Sequence, residues 1–224
     1  MARLPRITIP GVLHHIVHRG NNRNDVFFEQ DDYKQYLSLL SHYSRMYNFS
    51  ILSYCLMTNH VHIVGIPADN GSMSNMIWAT HYRYSLQLNQ KMGNCGHNWQ
   101  SRFFSCPCDE FHGISSIRYV ELNPVRAGLV DNPWNYLWSS AMYHVGIKRY
   151  PDLLDFKWWN MRFSLQEWKE ILMQQIEMDL IPDIRENTRS GTPLGNSEFR
   201  ELVLNQAGVE LERRSRGRPR KNGA

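Results

Sequence analysis

The sequence predicts an α+β fold of the split βαβ kind, also described as ferredoxin-like or RRM-like, followed by a helical extension and a basic tail. Strand and helix patterns follow one another in the order strand, helix, strand, strand, helix, strand. A tight-turn signal joins the two middle strands, and 42% hydrophobic residues in 224 are enough to bury a core. Such a fold packs helices on one face of an antiparallel sheet and leaves the other face open for a ligand.

The first half of the chain supplies three strands and one helix. Residues 12–18 are a β-branched run that stops at a turn-rich Arg-Gly-Asn-Asn segment, which predicts a strand and a loop. From 31 to 46, apolar residues recur at three- and four-residue steps, as on one buried face of a helix. Residues 49–57 and 60–66 are two further strands, joined by a tight turn at Thr58.

The next helix is predicted from Ser72, taken as its N-cap, to Lys91, because Gly93 follows. Residues 99–107 are predicted as the fourth strand. Residues 113–130 are predicted as a third helix that is interrupted by Pro124.

Beyond residue 131 the pattern weakens into short aromatic-rich elements. We expect a helix from 164 to 178, loop residues from 182 to 195, and a short helix from 198 to 207. The predicted organisation is therefore a core domain, a helical extension and a basic, disordered tail, with the bounds 1–146, 147–210 and 211–224.

Composition narrows the class of protein. No run of about 18 apolar residues exists, and the N-terminus lacks the apolar stretch of a signal peptide, so we expect a cytoplasmic protein without membrane contact. Four cysteines in such a chain favour reduced thiols. A zinc cluster is not favoured, because Cys106 and Cys108 lack the two-residue spacing of zinc knuckles; its other candidate ligands are Cys95, His97 and His112.

The C-terminal tail concentrates positive charge. Six basic residues and no acidic one lie between Arg213 and Lys221. Such an arm suits a polyanion, but a solvating tail has the same composition. Charge alone leaves both interpretations open.

Two histidines stand two apart on a predicted strand. His60 and His62 therefore project from one face, while Val61 and Ile63 project from the other. Two adjacent imidazoles can hold a divalent metal ion. Two hydrogen-bonded or surface histidines would give the same pattern, so the pair alone does not decide.

A phenol and an amide share one face of the third helix. Tyr119 and Asn123 are four residues apart, just before Pro124. They could face one ligand together. A core tyrosine with a helix-terminating asparagine is the alternative, and spacing alone favours it.

Five motifs in order make the sequence resemble the REP-associated tyrosine transposases, which are single-tyrosine HUH transposases of the IS200-like superfamily. The resemblance covers roughly residues 5–146, and Gly-Thr-Pro-Leu-Gly and Gly-Arg-Pro-Arg-Lys near the end are similar to longer members. The motifs are Gly-x-x-His-His-x-x-x-Arg-Gly-Asn-Asn-Arg, Leu-Met-Thr-Asn-His-Val-His, Trp-Gln-x-Arg-Phe, Arg-Tyr-Val-Glu-Leu-Asn-Pro-Val-Arg-Ala-Gly and Trp-Ser-Ser.

The resemblance implies a chemistry. His60 and His62 would be metal ligands, Asn123 a third ligand, and Tyr119 the nucleophile, with Mg²⁺ or Mn²⁺ as cofactor. Residues 1–146 would form the catalytic domain. The activity implied is cleavage and rejoining of single-stranded DNA at hairpin-forming repeats, the repetitive extragenic palindromes, through a 5′-phosphotyrosine. The protein would act as a monomer or weak homodimer at the bacterial nucleoid.

DNA recognition needs cations for phosphates and planar groups for bases. Trp99, Tyr82 and Tyr84 could stack on bases, although aromatic residues at such spacings are more often core. Each basic candidate could instead form a surface salt bridge. The predicted DNA-binding residues are Arg19, Asn21, Asn22, Arg23, Asn59, Arg83, Arg102, Arg126, Arg216, Arg218 and Arg220.

Two other activities compete with strand transfer. A noncatalytic DNA-binding regulator would keep the fold and the basic arm, and its DNA binding would survive Tyr119→Phe without a covalent adduct. A metal-dependent phosphodiesterase would use a metal-bound water and release a free 5′-phosphate. Tyr119 would then be dispensable.

Overall fold

The computed structural model describes residues 6–149, 151–174 and 180–208. Within them, four antiparallel strands form one sheet in the order β2-β3-β1-β4, which confirms the split βαβ arrangement. The strands are β1 Leu13–Arg19, β2 Phe49–Met57, β3 His60–Pro67 and β4 Phe104–Cys108; the helices are α1 Gln30–Met46, α2 Ser72–Met92, α3 Glu110–Glu121, α4 Asn123–Arg126, α5 Ala141–His144, α6 Phe156–Asn160, α7 Leu165–Met173, α8 Leu180–Ser190 and α9 Ser197–Ala207.

Strand β3 lies between β2 and β1, and alternation of its side chains divides the molecule in two. Val61 and Ile63 enter the hydrophobic cluster that α1 and α2 share, together with the fully buried Tyr36. His60 and His62 face the other way and lie opposite Arg19 and Val17 of β1. The two predicted ligands therefore stand on the face away from α1 and α2.

That second face is partly covered, which corrects the expectation of an open face. Helix α3 packs across β1, β2 and β3, and α8 packs against β4 and β1. Ile117 and Ile184 bury their side chains there beside Cys106. The part of this sheet face that a ligand can reach is therefore limited to the gap between α3 and α8.

Helix α8 contradicts the predicted loop at 182–195. Pro182 and a polar composition suggested a loop, but proline is tolerated in the first turn of a helix, where its missing N–H has no partner. Ile184 and Thr188, four residues apart, are buried on the sheet side. Loop residues begin only at Gly191, whose φ is +81°.

Three element ends also differ from prediction. Helix α2 is preceded by Gly71, and Asp69 Oδ1 accepts the backbone N–H groups of Gly71 and Ser72, so Ser72 is not the N-cap. Strand β4 begins at Phe104 because the preceding chain bends at Ser101, where φ is +50°. Helix α3 begins earlier than predicted, since the Asp109 carboxylate accepts the N–H of His112.

The extension packs on the same core. Ser164 caps α7 in a reciprocal pair with Glu167. The helix ends at Met173, earlier than the predicted 178, because Gln174 adopts extended backbone angles; residues 175–179 lie outside the described residues. Trp159 and Trp168 belong to the hydrophobic cluster that contains Tyr119. None of the described helices is long and apolar enough to cross a membrane. The predicted tail, 211–224, lies outside the described residues.

Candidate active site

The first pair of site residues is held at the start of β3. The rings of His60 and His62 are 5.0 Å apart. Burial lowers the pKa of His60 to about 4, with Arg19 contributing, and burial lowers that of His62 well below its usual value. Both imidazoles are therefore neutral near pH 7, the form that can bind a metal ion.

The Asn59 amide orients His60. Asn59 Nδ2 donates to the Arg23 carbonyl oxygen at 3.0 Å, so its Oδ1 faces His60 Nδ1 at 2.6 Å. An amide oxygen only accepts, and the hydrogen of His60 therefore sits on Nδ1. Nε2 of His60 presents its lone pair.

A chain of hydrogen bonds that begins on α8 orients His62 and fixes its tautomer in the same way. The Thr188 hydroxyl donates to the Ile184 carbonyl and so accepts from His15 Nδ1 at 2.8 Å. In neutral His15, Nε2 is then an acceptor for His62 Nδ1, at 3.1 Å. The lone pair of His62 is again on Nε2, because its other ring nitrogen is held by an acceptor, as is usual for histidines that bind metal ions.

Tyr119 stands on α3 against this pair. Its ring meets His15 and His62 edge to face, each with centroids 5.8 Å apart. The Arg126 guanidinium, on α4, lies 4.0 Å from the centroid of the Tyr119 ring. Arg185 Nε, on α8, donates to the phenol oxygen at 3.2 Å. One phenol thus lies beside two imidazoles and two guanidinium groups.

Asn123 and Arg126 hold each other in the same cavity. One Arg126 amine donates to Asn123 Oδ1 and to the Tyr119 carbonyl. The other two nitrogens of Arg126, Nε and Nη1, are buried without an acceptor among the described residues, and so is the amide nitrogen of Asn123. Desolvation lowers the pKa of Arg126, so an anion placed here would relieve a buried, incompletely paired cation.

These side chains line one cavity of about 620 Å³. Its walls come from β1, β3, α3, α4 and α8, and its polar lining includes Arg19, Glu186 and Arg189 in addition to the residues above. Sequence reasoning did not single out His15, Thr188 or Arg185 as site residues. His15 stood in the first motif, whereas the two α8 residues lay in a segment expected to be a loop.

The donor set fits a divalent metal ion in part. Two imidazole nitrogens with free lone pairs suit it, and Asn123 lines the same cavity, although its oxygen is bound to Arg126. No group of three His, Cys, Asp or Glu side chains that could hold a metal ion is present within the described ranges. Cys106 and Cys108 are buried free thiols, and Cys95 is exposed.

The chain that carries this site matches a known protein family in sequence. The family model described as "Transposase IS200 like" matches residues 8–123, which is more than half of the chain and includes β1 to α3. The chain belongs to the IS200-like transposase family. The match spans both histidines, Tyr119 and Asn123. It ends before α8.

A solved structure supports the fold of this family member. A REP-associated tyrosine transposase bound to a REP hairpin aligns with a TM-score of 0.54 and 19% identity, over 70% of this chain and 95% of that chain. At this identity the similarity shows a shared fold. No protein of curated function matches the chain in sequence.

The predicted DNA-binding residues fall into separate places. Arg19 and Arg126 line the candidate active site. Asn21, Asn22 and Arg23 form an exposed 3₁₀ turn that is separated from Arg19 by Gly20. Arg102 lines a different cavity, beside α2, and Arg83 is exposed on α2. Trp99 and Tyr84 are core residues, whereas Tyr82 is exposed. Arg216, Arg218 and Arg220 lie outside the described residues.

Glu121 fixes α3 to the rest of the molecule. This fully buried carboxylate accepts from His144 Nδ1 and Ser140 Oγ, both at 2.5 Å, and from Trp168 Nε1 at 2.8 Å. The His144 ring stacks on Trp159. Ser140 of the Trp-Ser-Ser motif and the glutamate after Tyr119-Val120 therefore have a structural role, and they hold the helix that carries Tyr119.

Proposed function

We propose that the protein is a divalent-metal-dependent endonuclease and strand transferase that cleaves and rejoins single-stranded DNA. The observation that carries the proposal is the single cavity in which the Tyr119 phenol meets His60 and His62 with their Nε2 lone pairs exposed to it. Family membership supports a transposase, and the intact phenol and histidine pair support catalysis over a purely regulatory role.

Tyr119 would attack the phosphorus of the scissile phosphodiester. The new bond joins the phenol oxygen to phosphorus, and the bond to the 3′-oxygen breaks. The phenol loses its proton to solvent and the departing 3′-oxygen takes one up, so there is no net change in protons. The products are a free 3′-hydroxyl and a 5′-phosphotyrosine, which conserves the ester for rejoining. Arg126 and Arg185 would stabilise negative charge on the phosphate and on the attacking oxygen.

His60 and His62 would hold the metal ion, with Asn123 as the proposed third ligand and Mg²⁺ or Mn²⁺ as the ion. When bound, the ion supplies Lewis acidity for a nonbridging phosphate oxygen. Asn59 and His15 fix the tautomers of the two histidines, so both ligands are prepared before binding.

The proposed substrate is a DNA hairpin with a single-stranded flank, as in repetitive extragenic palindromes. The solved relative was bound to a REP hairpin, which supports this class of partner. Arg19 at the cavity and the polar turn after it would contact phosphates, and the basic tail would add affinity. We propose a monomer or weak homodimer at the nucleoid, with residues 1–146 as the catalytic domain.

The test is formation of a covalent protein–DNA adduct. The probe is end-labelled single-stranded hairpin DNA from the genomic region around the protein's own gene. It would be incubated with protein and Mg²⁺ or Mn²⁺ and run on denaturing gels. We expect a metal-dependent adduct that disappears in Tyr119→Phe and in His60→Ala. Tyr43→Phe, on α1 away from the cavity, is the matched control and should keep the adduct.

The competing activities give different products. DNA binding without any adduct, across several hairpins and both metals, would support a regulator. A cut that persists in Tyr119→Phe and carries a free 5′-phosphate would support a metal-dependent hydrolase.

A further inference from the structure

The turn after β1, residues 20–24, contains two consecutive residues in the left-handed backbone region. Asn22 has a φ of 51° and Arg23 a φ of 63°. This region is unfavourable for residues with a side chain, less so for asparagine than for arginine. Such a conformation persists where surrounding contacts hold it, and it occurs often at functional sites. Both side chains are exposed, so we looked to backbone contacts for what holds the 20–24 turn.

Backbone hydrogen bonds attach the 20–24 turn to the hairpin that leads into β3. The Gly20 N–H donates to the Asn59 carbonyl at 2.8 Å. Just beyond the turn, the Val26 N–H donates to the Thr58 carbonyl, also at 2.8 Å. The chain on both sides of the turn is therefore tied to the two residues that precede His60.

The turn is also sterically closed at its first residue. A Cβ at Gly20 would lie 2.1 Å from the Asn24 carbonyl oxygen, which belongs to the backbone at the other end of the turn. The φ of Gly20 is −60°, which any residue adopts, so the requirement for glycine comes from this close approach. A side chain at this position would displace the turn.

One carbonyl group of the 20–24 turn reaches the support of a proposed metal ligand. The Arg23 carbonyl oxygen accepts from Asn59 Nδ2 at 3.0 Å, and Asn59 Oδ1 then faces His60 Nδ1 at 2.6 Å. The backbone has two soft dihedral angles per residue, so the left-handed angles of Arg23 help to set the direction of this carbonyl. The conformation of the turn is thereby connected to the orientation of the His60 ring.

We propose that the 20–24 turn is a positioning element for His60, and that the backbone of Arg23, not its guanidinium, performs this role. With the Arg23 carbonyl in place, Asn59 directs its amide oxygen toward His60. The imidazole hydrogen then stays on Nδ1, and Nε2 keeps its lone pair for a metal ion. The inference rests on the proposed function, because it takes His60 as a metal ligand.

The test separates the backbone of Arg23 from its charge. Arg23→Gly and Arg23→Val both remove the guanidinium, so any effect of the lost charge is common to the two variants. Glycine adopts left-handed angles freely, whereas a β-branched side chain opposes them. Full-length protein without DNA would be titrated with Mn²⁺ in a calorimeter. We expect Arg23→Gly to bind Mn²⁺ as the unmodified protein does and Arg23→Val to bind it about tenfold more weakly.

A second readout requires no metal ion. Nuclear magnetic resonance of protein with isotope-labelled histidine shows which ring nitrogen carries the hydrogen, and the His60 signals are identified by their loss in His60→Ala. We expect the hydrogen on Nδ1 in the unmodified protein and in Arg23→Gly. In Arg23→Val it should be distributed over both nitrogens. Gly20→Ala should give the same mixture, because its Cβ displaces the turn.

Asn48→Val is the matched control for backbone strain. Asn48 is another exposed residue with left-handed angles, with a φ of 50°, and it lies between α1 and β2. Its carbonyl accepts the Ala68 N–H, at the end of β3 away from His60. We expect Asn48→Val to lower stability in urea as Arg23→Val does, and to leave Mn²⁺ affinity and the His60 signals unchanged.

Equal Mn²⁺ affinity in Arg23→Gly and Arg23→Val, with the His60 hydrogen on Nδ1 in both, would overturn the proposal. An equal loss of affinity in the two variants would also overturn it, because the guanidinium would then be responsible. The same holds for a loss in Asn48→Val that matches the loss in Arg23→Val.

Failure of the proposed function is distinguishable, because neither readout requires DNA cleavage. The expected Mn²⁺ and His60 results without any Tyr119 adduct would refute catalysis and keep the positioning role. If Mn²⁺ did not bind the unmodified protein, the metal assignment would fail, and the position of the His60 hydrogen would still decide whether the turn orients the ring.

Discussion

At the scale of single residues, the site depends on side chains that orient the proposed metal ligands. Asn59 was predicted to bind DNA, but both ends of its amide are bound within the protein, to Arg23 and His60. Its geometry supports a positioning role for His60. Thr188 supports His62 in the same way through His15.

We predict that Asn59→Ala weakens Mn²⁺ binding about tenfold, because the tautomer and ring orientation of His60 are no longer fixed. Calorimetric titration with Mn²⁺ measures the change, and Asn59→Asp, which keeps an acceptor oxygen, should restore most of the affinity. Unaltered Mn²⁺ affinity in Asn59→Ala would argue against the positioning role.

Arg185 is the second residue-scale prediction. It donates to the Tyr119 oxygen from α8, so Arg185→Ala should slow adduct formation about tenfold or more, while Arg185→Lys keeps part of the rate. Rates would be followed by single-turnover gels. Arg200→Ala, an exposed arginine on α9, is the control. A rate that rises in Arg185→Ala would instead mean that α8 restrains the phenol.

At the scale of elements, the position of α3 depends on the Glu121 network. Glu121→Ala leaves donors on His144 and Trp168 buried without an acceptor, so the free energy of unfolding should fall by about 3 kcal/mol. Urea denaturation measures it. Glu170→Ala, an exposed carboxylate on α7, should change stability by less than about 0.5 kcal/mol. Equal stability of the two variants would contradict the assignment.

The helix that sequence reasoning missed shows what a local pattern leaves out. The paired strands, α1 and α2 carried periodic apolar residues, so their existence was predictable. Helix α8 buries only Ile184 and Thr188, because its remaining side chains line the polar cavity or face solvent. Thr188 and Arg185 of this helix contact His15 and Tyr119, from which they are separated by 173 and 66 residues along the chain. No local spacing contains that information.

At the scale of the whole molecule, buried neutral histidines make stability depend on pH. His14 Nδ1 donates to the Val12 carbonyl, and its Nε2 accepts the Ile9 N–H. Burial lowers the pKa of His14 to about 4, against 6.5 in an exposed histidine. Above 6.5 neither the folded nor the unfolded form binds a proton there. As pH falls below 6.5 the unfolded chain takes up the proton first, so stability is lost until pH reaches about 4.

The expected loss is about 3 kcal/mol for His14 over that range. Urea denaturation between about pH 7 and pH 5 measures the slope. His14→Gln keeps a donor and an acceptor without titrating. The slope of its free energy of unfolding against pH should therefore be smaller, by the equivalent of about one bound proton. An unchanged slope in His14→Gln would assign the pH dependence to other groups such as His81, whose pKa is also lowered by burial.

The position of α8 in the chain also bears on when the active site is completed during synthesis. Arg185 leaves the ribosome 66 residues after Tyr119, so the β-sheet and the proposed nucleophile can be folded while one wall of their cavity is still in the exit tunnel. A nascent chain at that stage lacks the Thr188 contact that orients His15 and the Arg185 contact to the phenol. Ribosome-bound and prematurely terminated chains would therefore present an unsupported nucleophile. If the proposed function holds, a chain that ends before residue 188 should form the covalent adduct more slowly than the full-length chain.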